Sequence, residues 1–168
     1  MRTSRQDYSR QKEFEERVYH IKRVSKKTTG GNAIGFTALA IVGDRKGRVG
    51  AALGKSKDVS SAIQKALKKA KNNVATVNLK ENTIPYEVLH KYSAARVLLK
   101  PAPEGSGIIA GGPVRAVLDL VGVKDVSAKM LGSKDKLANV RCTIEALEKL
   151  KKAKTKEGKD KGVTDDTK

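Results

Sequence analysis

The sequence predicts an α+β fold of two small modules with cores of their own, β-β-β-α followed by β-β-α-β-α. Three observations predict this fold class. Residues Phe36–Val42 form a continuous apolar run, which is typical of a buried strand. Apolar side chains recur at steps of three and four over residues 59–74 and again over 137–150, which predicts amphipathic helices. A length of 168 residues suits one or two domains.

The first module begins with a strand over Arg17–Lys27, where Val and Ile alternate imperfectly with basic residues. Residues 28–32 contain two glycines and predict a turn or flexible loop before the buried strand at 36–42. A short, positively charged hairpin turn at 43–47 leads into a third strand at 48–53. A helix from Lys55 to about Val77 then packs one apolar face over a three-stranded sheet.

The second module follows a change of composition near residues 72–82. Residues 87–92 and 95–100 predict two strands, and Pro101–Gly107 predicts a loop. A helix starts at Gly111-Gly112-Pro113, because proline suits the first turn of a helix. A strand at 123–130 and a helix at 135–150 complete the module. We expect domains at 13–78 and 79–151, flanked by a disordered extension at 1–12 and a disordered basic tail at 152–168.

The charge of the chain is large and unevenly placed. Thirty-six Lys and Arg residues stand against 18 Asp and Glu, a net charge of +18. Residues 17–71 alone hold 14 basic and 2 acidic side chains. A basic surface of that density attracts phosphates and releases their counterions, so the expected partner is a polyanion. A field that serves only solubility is the alternative.

Composition argues against several other classes. One cysteine, Cys142, and two distant histidines, His20 and His90, leave no disulfide framework and no basis for a metal or catalytic cluster. We therefore expect no enzyme activity, no metal and no cofactor. Aromatic residues make up only 4% of the chain, which disfavours a base-stacking platform. No apolar run is long enough for a membrane span, and the N-terminus lacks a secretory signal, so we expect a cytoplasmic protein.

Two glycine-rich segments resemble nucleotide-binding motifs only in part. Gly54-Lys55-Ser56 resembles the end of a phosphate-binding loop, but Val49 stands where that motif needs glycine. We expect a strand-to-helix turn there. The segment 105–110 matches the dinucleotide pattern G-x-G-x-x-A, but Pro101 and Pro103 separate it from the preceding strand. We expect a glycine-rich loop at this position.

An ordered set of short motifs carries a family resemblance over about residues 13–150. The segments are 23–26 (RVSK), 30–31 (GG), 36–39 (FTAL), 42–44 (VGD), 47–50 (GRVG), 54–55 (GK), 62–66 (AIQKA), 101–112 (PAPEGSGIIAGG) and 115–118 (RAVL). In this order they resemble the bacterial-type family of the fifth small-subunit ribosomal protein, the uS5 family. The resemblance implies a double-stranded-RNA-binding-like first module and an α/β second module with a left-handed β-α-β crossover.

The resemblance also implies a function and its partners. The expected function is that of a structural constituent of the small (30S) subunit, which binds 16S rRNA and contributes to body and head organisation. The second module is expected to contact the fourth small-subunit protein at an interface that influences translational accuracy, where Gly107 and Arg115 match the relevant positions. The eighth small-subunit protein and the channel through which mRNA enters are further expected neighbours. The expected location is a cytoplasmic ribosome, with an organellar ribosome left open.

RNA duplexes are held mainly through shape, phosphate and 2′-hydroxyl contacts. The expected rRNA contacts are basic, hydroxyl or glycine residues of the first module: Lys22, Arg23, Ser25, Lys26, Lys27, Gly30, Gly31, Arg45, Lys46, Arg48, Lys55, Lys68 and Lys69. Two rival hypotheses remain at this point, a free RNA-binding chaperone and an RNA-processing factor. The first would follow from charge alone, and the second would need a carboxylate or histidine cluster.

Overall fold

The computed structural model of the chain describes residues 13–79 and 82–150. The extension at 1–12 and the tail at 152–168, both expected to be disordered, lie outside the described residues. The described part contains two mixed modules in the order that the sequence predicts, β-β-β-α and then strands with two helices, so the α+β fold class is confirmed.

The first module is a fully antiparallel sheet covered by one helix. Its strands are β1 (Glu15–Thr28), β2 (Gly31–Gly43), β3 (Arg48–Ser56) and β4 (Val74–Thr76), in that spatial order. The helix α1 spans Val59–Asn72.

The prediction that this helix continues to Val77, over three strands, is wrong. The chain leaves the helix at Asn73, and Val74 pairs with Gly50 of β3, which makes a fourth strand. Sheet pairing of residues 74–76, which include the β-branched Val74 and Thr76, therefore overrides the helical spacing of Val74.

β1 and β2 form a hairpin much longer than the predicted strands. Their pairing runs from Glu15 opposite Gly43 to Thr28 opposite Gly31, with a register shift near Tyr19. The expected loop at 28–32 is reduced to a two-residue turn at 29–30, stabilised by a 2.8 Å hydrogen bond from the Thr28 hydroxyl to the Gly31 carbonyl oxygen. Every residue from 21 to 34 is exposed. We call this outer part of the hairpin the ribbon.

The second module is a four-stranded sheet with two helices on one face. Its strands are β5 (Val88–Tyr92), β6 (Ala95–Pro101), β7 (Ile108–Ile109) and β8 (Val126–Met130), in the spatial order β5-β6-β8-β7. Its helices are α2 (Gly112–Val121) and α3 (Lys136–Glu148). Only β7 was not predicted. Because β7 pairs with β8 in parallel, β7, α2 and β8 form the expected β-α-β unit, and its left hand stays a prediction.

The main hydrophobic core is shared by the two modules instead of being divided between them. Leu39 and Ile41 on one face of the first sheet belong to the same buried cluster as Val117 and Leu120 of α2. The opposite face of that sheet packs small residues against α1, with Ala38 and Ala40 of β2 buried against Ala62 and Ala66 of the helix. The first sheet thus lies between α1 and the second module. No helix in the described ranges is long and apolar enough to cross a membrane.

Candidate nucleic-acid interface

The ribbon presents hydrogen-bonding and basic side chains on both of its faces. Residues of a strand alternate between faces, so Lys22 and Lys26 lie on one face while Arg23, Ser25 and Lys27 lie on the other. All five are exposed. The structure therefore brings the first five predicted RNA contacts together, on an arm that can be approached from two sides.

The tip of the ribbon leaves its backbone open. Gly31 has a φ of +127°, a conformation that favours glycine at the turn. A Cβ atom added to Gly30 or Gly31 would meet nothing within 4 Å. These predicted residues thus lie at the end of the arm, where another molecule can come close to the main chain.

Lysines from three elements meet at the base of the ribbon. The register places Lys22, Thr37 and Lys55 in one row across β1, β2 and β3, so the two lysines flank Thr37 on the same face. A shallow depression beside this row is lined by residues of the ribbon, of β2, of β3, of α1 and of the link between β3 and α1, namely Val24, Gly35, Phe36, Lys55, Ser56, Lys57, Asp58 and Lys65. The Lys65 ammonium group donates a 3.3 Å hydrogen bond to the Ser56 hydroxyl.

The second module adds one lysine that sequence reasoning missed. The ammonium nitrogen of Lys136, the first residue of α3, lies 3.4 Å from Nδ1 of His20 at the base of the ribbon. Lys57 and Lys65 were missed as well. Their position in the basic stretch 17–71 was a signal for them, whereas Lys136 is distant in sequence and gave none.

Arg45, Lys46 and Arg48 do not join this surface. They follow the far end of β2, which lies six residues or about 20 Å along the strand from Thr37 and about 40 Å from the tip at Gly31. The Arg45 guanidinium makes two hydrogen bonds to the Glu15 carboxylate, of 2.6 and 3.0 Å. These bonds raise the pKa of Arg45.

Arg48 is held in the same way as Arg45, by an acidic partner of the first module. Its Nε lies 2.6 Å from the carboxylate of Asp44, whose side chain is 4% exposed. The guanidinium carbon lies 5.0 Å from the centre of the Phe14 ring. The hydrogen bond to Asp44 raises the pKa of Arg48. In the described structure this arginine stabilises the turn.

Lys68 and Lys69 lie on a third surface. The face of α1 that packs on the sheet consists of Ala62, Ala66 and Ala70, all buried, whereas the two lysines are exposed. The predicted RNA contacts therefore divide into the ribbon with its base, the far turn, and the outer face of α1.

The two glycine-rich motifs have structural roles that their positions explain. β3 continues through Gly54-Lys55-Ser56, and α1 begins only at Val59, so the strand-to-helix turn lies at residues 57–58 and not at 54–56. A Cβ on Gly54 would lie 2.9 Å from the Cβ of Ala66, so glycine lets the helix pack closely on the sheet.

In the second motif, the Gly107 N–H donates to the buried Asp125 carboxylate at 2.9 Å, and β7 follows at once. The glycine-rich loop is therefore tied to a side chain of its own module.

Gly107 and Arg115 lie near a second exposed region. Gly107 has a φ of +70° and precedes Ile108, which lines an open depression together with Arg115. The other lining residues come from both modules, and they are Arg45, Asp119, Gly122, Val123 and Lys124. Arg115 thus lines this depression, Gly107 lies one residue from its edge, and Arg45 belongs with them more than with the ribbon. In residues 13–79 and 82–150, no group of three or more His, Cys, Asp or Glu side chains could hold a metal ion.

The chain thus belongs to the class of α+β proteins in which two mixed modules share one core and carry a basic two-stranded arm. Comparison with known families narrows this class. Residues 14–78 match the ribosomal protein S5 N-terminal domain, and residues 90–159 match the ribosomal protein S5 C-terminal domain. The chain belongs to the ribosomal protein S5 family, which confirms the resemblance seen in its sequence motifs.

One curated relative shows how far the similarity extends. The chain is 51% identical over 142 residues to the small ribosomal subunit protein uS5 of Malacoplasma penetrans (strain HF-2). The match covers 84% of this chain and 61% of that relative, so the chain spans less than two thirds of the relative's length.

Proposed function

We propose that the chain is a structural constituent of the small ribosomal subunit that binds 16S rRNA through the ribbon and its base. The ribbon carries this proposal, because it concentrates exposed basic side chains on an arm with two open faces. Membership of the ribosomal protein S5 family supports ribosomal RNA as the partner of these basic side chains. This role is structural and needs no catalytic group.

The chemistry of the ribbon suits duplex or folded RNA. Lysine and arginine side chains on two faces can contact phosphates of two neighbouring strands, while Ser25 can donate to a phosphate or 2′-hydroxyl oxygen. The aromatic content of the ribbon region is too low for a stack of bases. Lys55, Lys57 and Lys65 at the base extend the same contact along the RNA backbone.

The finer roles belong to the second module and the inter-module depression. Within the subunit, we assign Gly107 and Arg115 to contact with the fourth small-subunit protein and thereby to translational accuracy. The eighth small-subunit protein, the mRNA near its point of entrance and the junction of body and head are the other proposed neighbours. The proposed location is the ribosome of the cytoplasm, or of an organelle, and the proposed domains are residues 13–78 and 79–151.

The test of subunit membership is sedimentation of tagged full-length chain from cells. We expect the chain in the small-subunit peak at moderate salt. A chain found only in free fractions would instead favour the free RNA-binding chaperone or the RNA-processing factor.

The test of the RNA surface compares two single charge reversals in the full chain. Lys26→Glu changes the ribbon, whereas Lys149→Glu makes the same charge change at an exposed position after α3. We expect Lys26→Glu to weaken binding to a 16S rRNA fragment and to lower the salt slope by about one, and Lys149→Glu to change neither measurably. Six to ten phosphate contacts would lower affinity by roughly 10³–10⁵ between 50 and 200 mM salt. Equal losses in both variants would contradict assignment of the ribbon.

A further inference from the structure

The second sheet exposes one face that nothing in the described ranges covers. Strand register places its outward residues in three rows, Lys91–Arg96 with Leu131 beyond, Leu89–Leu98–Lys129, and Lys100–Ser127–Ile109. The Leu131 N–H donates to the Arg96 carbonyl oxygen at 2.9 Å, which fixes Leu131 beside that row. We call these nine residues the open sheet face.

The open sheet face has no layer over it because both helices of the module pack on the opposite face of the sheet. Val97 and Leu99 alternate with the outward residues of β6 and are fully buried in the main core, beneath α2 and α3. Both helices of the module therefore pack on the inner face, and the outer face has no layer over it.

The open sheet face holds the most exposed large aliphatic side chains of the described structure. Leu89 is 62% exposed, Ile109 is 60% exposed and Leu131 is 55% exposed. Leu98 lies between Leu89 and Lys129 and is partly exposed. Large, strongly exposed aliphatic side chains gathered on one face of an otherwise charged surface are typical of an interaction site.

Basic side chains lie among the aliphatic ones. Lys100 pairs with Glu87 at 3.3 Å, and both side chains are about half exposed. Lys91, Arg96 and Lys129 make no ion pair with any acidic residue of the described structure. A partner that covers this face must therefore supply negative charge as well as apolar contacts.

Three other occupants fit less well. The chain's own residues 151–168 hold seven lysines against four acidic residues and only one large apolar side chain, Val163, so they supply neither net negative charge nor an apolar surface. A second copy would oppose cations with cations. RNA would satisfy the cations but would leave Leu89 and Ile109 without apolar partners, and the face has no aromatic ring for base stacking.

We propose that the open sheet face docks a protein whose surface combines apolar side chains with Asp or Glu carboxylates. This inference rests on the proposed function, which places the chain beside other proteins in the small subunit. The site differs from the depression at Arg115, because Ile108 lines that depression and Ile109, the next residue of the strand, points to the other side of the sheet.

The test is carbodiimide crosslinking of purified small subunits that contain the tagged chain, because this reagent joins a lysine amine to a carboxylate without a spacer. We expect amide links from Lys91 or Lys129 to Asp or Glu residues of another protein. The variant Lys91→Arg/Lys129→Arg keeps both charges but offers no amine, so it should enter subunits normally and lose these links.

A second variant tests the apolar contacts. Leu89→Ser/Ile109→Ser changes exposed residues, so thermal unfolding of the free chain should be unchanged, while the crosslink yield should fall roughly tenfold or more. The inference is overturned if Lys91 and Lys129 form no carbodiimide link to a protein in purified subunits. It is also overturned if ultraviolet irradiation joins these two residues to RNA. Either result leaves the proposed function intact. Absence of the chain from the small-subunit peak overturns the proposed function and this inference with it.

Discussion

Gly43 of β2 lies against the backbone of Leu120 in α2, so closely that a Cβ atom on Gly43 would overlap the Leu120 carbonyl oxygen and lie 2.8 Å from the Leu120 Cβ. The same carbonyl oxygen accepts a 3.0 Å hydrogen bond from the Arg45 N–H. Two residues after Arg45, the Gly47 N–H donates to the Val121 carbonyl oxygen at 3.0 Å. The end of β2 and the turn after it are thus fastened to the second module by backbone contacts.

Substitution of Gly43 should therefore loosen the contact between the modules. We expect Gly43→Ala to lower the free energy of unfolding by about 1–3 kcal/mol, because the added methyl group meets rigid backbone and not a flexible side chain. Urea unfolding of the full chain measures the change. Gly30→Ala is the matched control, since its Cβ would meet nothing within 4 Å and should change stability little. Equal effects of the two substitutions would contradict the close approach.

Asp44 should make stability depend on pH in the acid range. Its carboxylate accepts hydrogen bonds from the N–H groups of Lys46 and Arg48, at 2.8 and 3.0 Å, and from Nε of Arg48 at 2.6 Å. Burial alone raises the pKa of this carboxyl, but the hydrogen bonds with Arg48 and Lys46 together lower the pKa below its ordinary value of 3.8. A lowered native pKa stabilises the fold above the unfolded pKa, and the stabilisation is lost as pH falls through the native pKa.

We therefore expect Asp44→Asn to lower the free energy of unfolding at pH 7 by about 1–3 kcal/mol. The difference in free energy of unfolding between Asp44→Asn and the unsubstituted chain should shrink as pH falls below about 3.9. Urea unfolding at a series of pH values tests both statements. Asp119→Asn is the comparison, because the pair of Asp119 with Arg17 is 3.3 Å long and more exposed, and about 1 kcal/mol or less is expected there. A gap for Asp44→Asn that stays constant down to pH 2 would refute the role of its ionisation.

Local patterns predicted those elements whose residues carry their own signal. The spacing of Ala62, Ala66 and Ala70 predicted the buried face of α1, and the apolar run at 36–42 predicted the centre of β2. β4 and β7 are three and two residues long, and each exists because it pairs with a strand already in place. Such short strands have no periodicity of their own, so sequence reasoning missed them.

The same distinction, between what neighbouring residues signal and what only tertiary packing creates, applies to the candidate site. The grouping of the ribbon lysines could be predicted because they are close together in the sequence, and their contact with RNA stays a prediction. Arg45 and Arg48 were grouped with them because charge counts do not show strand direction or the acidic partners Glu15 and Asp44. Lys136 was missed because only the packing of the second module brings it to His20.

Cys142 should be inert in the native chain. Its side chain is fully buried, with Sγ 3.3 Å from the His90 carbonyl oxygen and 3.8 Å from that of Ala95. Burial raises the pKa of this thiol, which keeps it protonated at neutral pH, and the thiolate is the reactive form. We expect no reaction with an aromatic disulfide reagent at pH 7.5 until urea unfolds the chain.

The comparison for that experiment is a Ser60→Cys/Cys142→Ala variant, which carries its single thiol at an exposed position of α1. This thiol should react at once in the native state. Equal rates for the two thiols without denaturant would show that Cys142 is accessible and that the packing of α3 on the second sheet is looser than described.

The ribbon should exchange its amide hydrogens faster than the body of the sheet from which it projects. Residues 31–35 of β2 pair only with β1, whereas residues 38–42 pair on both sides and are buried between α1 and the second module. Local opening needs less free energy where few buried contacts break. Hydrogen exchange followed by mass spectrometry should show protection at 38–42 that exceeds protection at 31–35 by at least about tenfold.

Addition of the 16S rRNA fragment should slow exchange at 21–34 and leave 38–42 unchanged. Protection that rises equally in both segments would indicate general stabilisation of the fold and not contact at the ribbon.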